Sequence, residues 1–145
     1  MDKVKVTLDT NIIISAIGFG GLPRNILELI LVDKIKAVTS NILLAELEDV
    51  ITKKFPNLAF EFELLNKKIR KNFQIVKPKE HLKVVRDEDD NKVLEAAIEG
   101  KCQYIVTGDK DLLELDSFRG IKILTPEQFL KILLQHLPAT VHREQ

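Results

Sequence analysis

Acidic residues follow two stretches of the sequence that have the composition of buried β-strands. Asp9 comes directly after an apolar run at residues 4–8, and Asp109 comes shortly after a second run at residues 104–107. Because ligands of open parallel sheets bind beyond the carboxyl ends of the strands, charged side chains at those ends are candidates for a functional site. The simpler explanation of one such aspartate is that it caps the helix that follows, and Asp111 is open to the same explanation.

Glu46 lies on the apolar face of a predicted helix. At about 100° per residue, that face is formed by six apolar side chains: Ile42, Leu43, Leu44, Leu47, Val50 and Ile51. Glu48 and Asp49 fall outside this arc, on the expected solvent side. A carboxylate directed at a core must be paired, protonated or bound to a metal, because burying it alone costs several kcal/mol. A buried salt bridge, or a position at the edge of the apolar face, is the alternative.

The acidic run at residues 87–90 precedes a further amphipathic helix. When this helix is extended towards its amino end, Asp90 falls on its apolar face, whereas Asp89 points away from that face. Acidic residues in a first helical turn also complement the helix dipole, and Asp87 and Asp90 have the spacing of a capping box. Four separate places in the chain nevertheless each direct one carboxylate towards the same strand-end region. That coincidence favours a shared site over four unrelated caps.

Clustered carboxylates repel one another, and their repulsion destabilises the fold unless a cation is present. Mg²⁺ or Mn²⁺ prefers oxygen ligands and retains water molecules, which is the chemistry that phosphodiester hydrolysis needs. A zinc site is disfavoured, since the single cysteine, Cys102, has no histidine at ligand spacing and His81, His136 and His142 are scattered.

The elements that must position these residues alternate along the chain. Short β-branched runs predict strands at residues 4–8, 35–39, 73–76, 104–107 and 121–124. Apolar residues at steps of three and four predict helices at residues 22–32, 42–54, 59–71, 91–99 and 127–134. Strands separated by helices pair in parallel, so we expect an α/β fold with a central parallel sheet and helices on both faces. We expect one domain over residues 1–137 and a short tail over residues 138–145.

Composition limits the partners and the compartment. The chain has 145 residues, with 22 Lys and Arg against 22 Asp and Glu, so its overall charge gives no reason for non-specific binding to nucleic acid or lipid. One cysteine indicates a reducing compartment, and the sequence shows no signal peptide or membrane span. We therefore expect a cytoplasmic protein with no membrane partner.

One stretch departs from this balance. Residues 67–86 contain eight basic residues and one acidic residue, and they lead directly into the acidic run. Positive charge beside an acidic metal site suits a phosphate backbone, although an ordinary solvated helix and loop would look the same. The candidate contacts to such a backbone are Lys67, Lys68, Arg70, Lys71, Lys83 and Arg86.

The four acidic segments together resemble, in order, the motifs of PIN-domain proteins, and in particular the VapC-like toxin components of toxin-antitoxin systems. The matching segments are Leu-Asp-Thr-Asn at residues 8–11, Leu-Leu-Ala-Glu-Leu at 43–47, the run from Asp87 to Ala97, and Tyr-Ile-Val-Thr-Gly-Asp-Lys-Asp-Leu-Leu at 104–113. The resemblance covers residues 4–130, nearly the whole chain. It implies a three-layer α/β/α PIN-like fold and a Mg²⁺- or Mn²⁺-dependent endoribonuclease.

The resemblance also assigns roles. Asp9, Glu46, Asp90 and Asp109 would be the catalytic and metal-binding carboxylates, with Asp111 as an auxiliary ligand and Asn11 and Thr107 as polar support. Asp87 remains an alternative to Asp90. Water bound to the metal would attack an RNA phosphodiester, and the metal would stabilise the charge that develops. A homodimer and a cognate antitoxin are the further partners that the resemblance implies.

Two other classes of protein remain open. A catalytically silent PIN-like module would bind RNA or a protein partner, but a scaffold has no reason to keep a mutually repelling carboxylate cluster. A phosphate-accepting receiver domain is also α/β, but it would need an acidic pair after the first strand, where this chain has Asp9 followed by Thr10 and Asn11.

Overall fold

A computed structural model describes residues 3–136 of the chain, so the predicted tail at residues 138–145 lies outside the described part. Six strands form one sheet in the order β3-β2-β1-β4-β6-β5. All neighbouring pairs are parallel except β5 with β6. The strands are β1 (Lys5–Leu8), β2 (Lys36–Ser40), β3 (Gln74–Val76), β4 (Tyr104–Val106), β5 (Ser117–Phe118) and β6 (Ile121–Leu124).

Helices cover both faces of this sheet. Those described are α1 (Thr10–Gly18), α2 (Gly21–Leu31), α3 (Asn41–Lys54), α4 (Ala59–Asn72), α5 (Glu88–Glu99), α6 (Lys110–Leu115) and α7 (Pro126–His136), with a 3-10 turn at Pro56–Leu58. One core lies between the sheet and α1, α2, α3, α4 and α7. A second core lies on the other face, against α5 and α6. The fold is therefore the predicted three-layer α/β/α arrangement.

β1 shows why the centre of the sheet is buried on both faces. Val6 and Leu8 contribute to the first core, whereas Thr7 points to the other face and bonds the buried Cys102, with 3.2 Å between Oγ1 and Sγ. Alternate side chains of a strand point to opposite faces, so a central strand of a covered sheet needs no exposed side. β1 pairs with β2 on one side and with β4 on the other. These three adjacent strands bring their carboxyl ends together.

The predicted strands and helices are present, with ends shifted by a few residues. α1, α6 and β5 are absent from the sequence-based assignment. In α1 the run Ile12, Ile13, Ile14 is buried throughout, so its apolar pattern has no helical period. Ile42 was wrongly placed on the buried face of α3, because it is 52% exposed next to the helix start. No single helix in residues 3–136 is long and apolar enough to span a membrane.

Candidate metal centre

Asp9 and Asp109 follow adjacent parallel strands. Leu8 of β1 is in register with Val106 of β4, and the backbone N–H of Asp9 donates to the carbonyl of Val106 at 3.0 Å. Each aspartate caps the next helix: Asp9 accepts from the N–H of Asn11, and Asp109 accepts from that of Asp111 at 2.9 Å. The capping explanation is thus correct for both residues, but it uses only one oxygen of Asp109.

Two threonine hydroxyls connect the carboxylates. Thr107 Oγ1 donates to Asp9 Oδ2 at 2.7 Å and accepts from the backbone N–H of Asp109 at 2.9 Å. Thr10 Oγ1 donates to Glu46 Oε1 at 2.9 Å and lies 3.4 Å from Asp9 Oδ1. A hydrogen-bonded path therefore runs from Glu46 on α3 to Asp109 at the start of α6, and the two residues lie on the same side of the molecule.

Asp90 completes the cluster from the first turn of α5. Its side chain is only 5% exposed, whereas Asp87, Glu88 and Asp89 are exposed. Asp87 acts as the helix cap, since its Oδ1 accepts from the N–H of Asp89 at 2.9 Å. Carboxylate oxygens of Asp90, Asp109 and Asp111 lie within 4.8 Å of one another. The geometry favours Asp90 over Asp87 as the inward-facing carboxylate.

Burial and mutual repulsion raise the pKa of three of these groups. Loss of solvation raises the pKa of Glu46 to about 7 despite the bond from Thr10, with Asp89 and Asp9 adding repulsion. Burial, together with the adjacent Asp109 carboxyl, raises the pKa of Asp90 to about 8. Burial also raises the pKa of Asp9, although the Thr107 hydroxyl opposes the shift. The cluster alone therefore holds protons that a cation would displace.

The donor set fits a hard divalent cation. Glu46 Oε2 and Asp90 Oδ2 are buried and have no hydrogen-bond partner among residues 3–136. Buried polar atoms are normally satisfied, and each of these two belongs to a carboxyl group that neighbouring carboxylates, Asp9 among them, repel when it is charged. All the candidate ligands are carboxylate oxygens, as Mg²⁺ and Mn²⁺ prefer. Asp90, Asp109 and Asp111 can each offer one oxygen to a common ion. Asp9, which Thr107 joins to Asp109, and Glu46, which Thr10 joins to Asp9, are the further candidate ligands.

The other predicted site residues differ in how deeply they are buried. Thr107 is buried between Asp9 and Asp109, whereas the Asn11 side chain is exposed and only its backbone N–H contacts Asp9. Asp111 is partly exposed, and the Arg86 guanidinium lies 3.1 Å from its Oδ1.

The predicted RNA contacts separate into two groups. Lys67, Lys68, Arg70 and Lys71 are exposed on α4, whose end leads into the amino end of β3. Lys83 and Arg86 lie on the segment that leads from the carboxyl end of β3 to α5. Because the carboxylates lie beyond the carboxyl ends of β1 and β4, the structure brings only Lys83 and Arg86 to the same end of the sheet.

Two side chains that bond at or beside the candidate site were not among the predicted residues. Thr10 links Asp9 to Glu46, and its position directly after the strand-end aspartate was the available signal. Asn91 is buried and makes side-chain hydrogen bonds to residues 84, 85 and 87. Its place directly after the acidic run could have indicated a role at the helix start, but nothing in the sequence identifies its partners.

Comparison with known proteins agrees with this architecture. The family model described as PIN domain matches residues 5–111. An uncharacterized protein of Methanocaldococcus jannaschii is 38% identical over 144 residues, covering 89% of this chain and 91% of the relative. A chain in the crystal structure of VapBC2 from Rickettsia felis, bound to a DNA fragment from their promoter, superposes with a TM-score of 0.58 at 17% identity, covering 83% of this chain and 97% of the other.

The chain is a member of the PIN-domain family. The family match includes all four acidic positions, and it confirms the resemblance inferred from the motifs. The Rickettsia structure shares the fold, which agrees with the three-layer arrangement around a mostly parallel sheet.

Proposed function

We propose that this protein is a Mg²⁺- or Mn²⁺-dependent endoribonuclease that hydrolyses RNA phosphodiester bonds. The observation that supports this most directly is the convergence of Asp9, Glu46, Asp90 and Asp109 from four separate places in the fold. Two of their buried oxygens find no hydrogen-bond partner in the part of the chain that the structure describes. Membership of the PIN family agrees with nuclease chemistry.

In this proposal each residue has a defined task. Asp9, Asp90 and Asp109 would hold the cation, and Glu46 would hold either the cation or a proton of the attacking water. A divalent ion bound there would supply an activated water and positive charge against the phosphate oxygens. Thr107 and Thr10 fix the orientation of Asp9 and Glu46 through their hydroxyls. Orienting partners of this kind tune ligand geometry without touching the substrate.

The basic residues would contribute unequally to RNA binding. Lys83 and Arg86 lie at the carboxylate end of the sheet and are the candidates for contact near the cleaved bond. Lys67, Lys68, Arg70 and Lys71 on α4 would meet only more distant parts of a bound RNA chain. Such contacts act through phosphate and carry no sequence preference.

The biological setting that we propose is a cytoplasmic toxin that works as a homodimer with a cognate antitoxin. The support is the fold shared with a chain of the VapBC2 structure from Rickettsia felis. Co-expression with the product of a small adjacent gene tests the partner: a stable complex with suppressed RNA cleavage is expected. A protein that neither binds such a product nor loses activity would contradict the toxin role but not the chemistry.

The decisive experiment is RNA cleavage by Asp9→Asn. With Mn²⁺, the wild-type protein should cleave single-stranded RNA, EDTA should stop cleavage, and Asp9→Asn should abolish it while circular dichroism shows an unchanged fold. Asp49→Asn is the matched control, because Asp49 is exposed on α3 and pairs with Lys53 outside the cluster. Undiminished cleavage by Asp9→Asn would refute the assignment. A calorimetric titration without metal binding would favour the silent binding module.

A further inference from the structure

The segment that joins β3 to α5, residues 77–87, is held in place by side chains of α5. The N–H of Lys79 donates to Glu99 Oε1 at 3.1 Å, and the N–H of Leu82 donates to Glu95 Oε2 at 2.8 Å. Glu95 is itself only 3% exposed. A buried carboxylate is costly unless it is bonded, so the bond to Leu82 helps to keep this joining segment close to the helix.

Asn91 holds the other end of the joining segment. Its Oδ1 accepts from the N–H groups of Val84 and Val85 at 2.9 and 3.0 Å. Its Nδ2 donates to the carbonyls of Val85 at 2.9 Å and Asp87 at 3.3 Å. Because Asn91, Glu95 and Glu99 are four residues apart, they form one row along α5. This row supplies the hydrogen bonds that a neighbouring strand would otherwise provide.

A groove of about 520 Å³ lies between the joining segment and α5. Leu82 and Val85 give it an apolar floor, and Lys83, Arg86 and Lys92 supply positive charge. Of its two acidic lining residues, Glu95 pairs with Lys92 at 3.5 Å, and Glu88 is exposed at the start of α5. No Phe, Tyr or Trp is among the described residues that line it. Base stacking is therefore unsupported, and contacts to phosphate and sugar are favoured.

The groove adjoins the candidate metal centre. Arg86, which lines the groove, pairs with Asp111, and Asn91 directly follows Asp90. A chain lying in the groove would therefore reach the carboxylate cluster without turning away from the surface. We propose that this groove binds the RNA chain beside the cleaved bond, and that Asn91 and Glu95 are positioning residues that hold the joining segment for this purpose. The inference rests on the proposed ribonuclease function.

RNA binding measured without catalysis tests the groove. In EDTA, fluorescence anisotropy with a labelled single-stranded RNA of mixed sequence reports affinity while no metal-dependent cleavage occurs. Lys83→Ala should weaken binding several-fold and reduce the salt dependence of log K by about 0.7, the value for one lost contact to a single strand. Lys34→Ala is the matched control, since Lys34 is exposed in the turn before β2. If the two variants bind RNA with equal affinity and equal salt dependence, the proposal that RNA binds in this groove is wrong.

Glu95 allows the positioning role to be separated from charge. Glu95→Gln and Glu95→Ala both remove the negative charge, but only glutamine keeps an oxygen that can accept from the N–H of Leu82. Removing negative charge alone should not weaken binding to RNA. We expect the alanine variant to bind several-fold more weakly than the glutamine variant, which should bind at least as tightly as wild type. Equal binding by the two folded variants would exclude positioning by Glu95. Asn91→Ala would then test whether Asn91 alone holds the joining segment, in which case it should bind RNA more weakly than wild type.

The two proposals can fail separately. If wild-type protein binds RNA in EDTA and depends on Lys83, but does not cleave RNA with Mn²⁺, the groove stands and the ribonuclease assignment fails. If Mn²⁺-dependent cleavage occurs but Lys83→Ala binds and cleaves like Lys34→Ala, the ribonuclease stands and the groove fails. Thermal melting identifies any variant that is not folded. If a Glu95 or Asn91 variant is not folded, the comparison of Lys83→Ala with Lys34→Ala decides whether the groove binds RNA.

Discussion

The Thr107 hydroxyl stands between the two strand-end aspartates: it donates to Asp9 Oδ2 at 2.7 Å and accepts from the backbone N–H of Asp109 at 2.9 Å. One side chain thus fixes the rotamer of the first carboxylate and the backbone position of the second. Thr107 is completely buried, so no solvent water can replace it.

Thr107→Val tests this coupling, because valine has nearly the same shape and lacks the hydroxyl. The N–H of Asp109 would lose its acceptor, and we expect a loss of roughly 1–3 kcal/mol in the free energy of unfolding. Mn²⁺ affinity should fall by about 10-fold, as for other residues that orient metal ligands. Calorimetric titration and denaturant unfolding measure the two effects. Thr107→Ser keeps the hydroxyl and should retain most of the stability and most of the Mn²⁺ affinity. A valine variant that binds Mn²⁺ like wild type would contradict the orienting role of the Thr107 hydroxyl.

The metal-free protein should lose stability as pH rises. The pKa of Asp90 is raised from 3.8 to about 8 and that of Glu46 from 4.5 to about 7. Between the unfolded and folded pKa values these two groups hold more protons in the folded state than in the unfolded state. Their contribution to stability is therefore greatest below about pH 4 and falls until about pH 8. We expect a loss on the order of 1–3 kcal/mol across this window in EDTA. Urea unfolding at a series of pH values measures it.

Asp90→Asn is the control for this pH dependence. Asparagine does not titrate, so most of the fall should disappear, and in EDTA at about pH 8 the variant should be more stable than wild type. Mn²⁺ should stabilise the wild type strongly at that pH and the variant weakly, since binding to the folded state alone adds stability. A wild-type protein whose stability rises steadily with pH in EDTA would show that the carboxylates are already ionised.

Arg86→Ala should change metal affinity and RNA affinity in opposite directions. The guanidinium lies 3.1 Å from Asp111 Oδ1 and opposes a cation at that carboxylate. Its removal should strengthen Mn²⁺ binding about two- to three-fold, a modest effect because Arg86 is highly exposed, and should weaken RNA binding. Arg119→Ala removes an equivalent ion pair, with Glu80, and should leave Mn²⁺ affinity unchanged. Weaker Mn²⁺ binding by Arg86→Ala would mean that the ion pair orients Asp111.

Much of this arrangement could be predicted from the sequence because it depends on local patterns. The direction of one side chain follows from each of three patterns: an aspartate at a strand end, a carboxylate on an apolar helix face, and an acidic helix start. Asp9, Glu46 and Asp90 do point to a common region. The sequence left Asp87 open as an alternative to Asp90, and the structure separates them: Asp87 is exposed, whereas Asp90 is 5% exposed and lies on the apolar face to which the helical period assigns it.

The contacts that complete the site could not be predicted because they join distant parts of the chain. Thr10 meets Glu46 only when α1 and α3 pack together, and Asn91 meets Val84 and Val85 only when the joining segment lies against α5. Ile42 has the helical spacing of a core residue but lies at a helix start that the neighbouring elements do not cover. Periodicity gives the direction of a side chain, whereas tertiary packing decides what lies there.

Gly100→Ala tests how tightly the layer that carries Asp90 packs against the sheet. Gly100 follows α5 with φ −82°, a backbone conformation that alanine accepts, so the backbone alone predicts a small gain in stability. A Cβ at this position would, however, lie 2.6 and 2.8 Å from the two methyl carbons of Val38, which is fully enclosed on β2. We therefore expect a loss of about 1–3 kcal/mol in the free energy of unfolding, measured with urea.

The double variant Val38→Ala/Gly100→Ala shows whether this steric contact is the cause. Alanine at residue 38 leaves space for the new methyl group, so the double variant should be more stable than the sum of the two single losses predicts, with a coupling of about 0.5–3 kcal/mol. Mn²⁺ affinity should follow the same order, since a displaced α5 carries Asp90 with it. Additive losses would show that the contact with Val38 is not the cause, and a Gly100→Ala variant more stable than wild type would show that α5 moves freely enough to accept the methyl group.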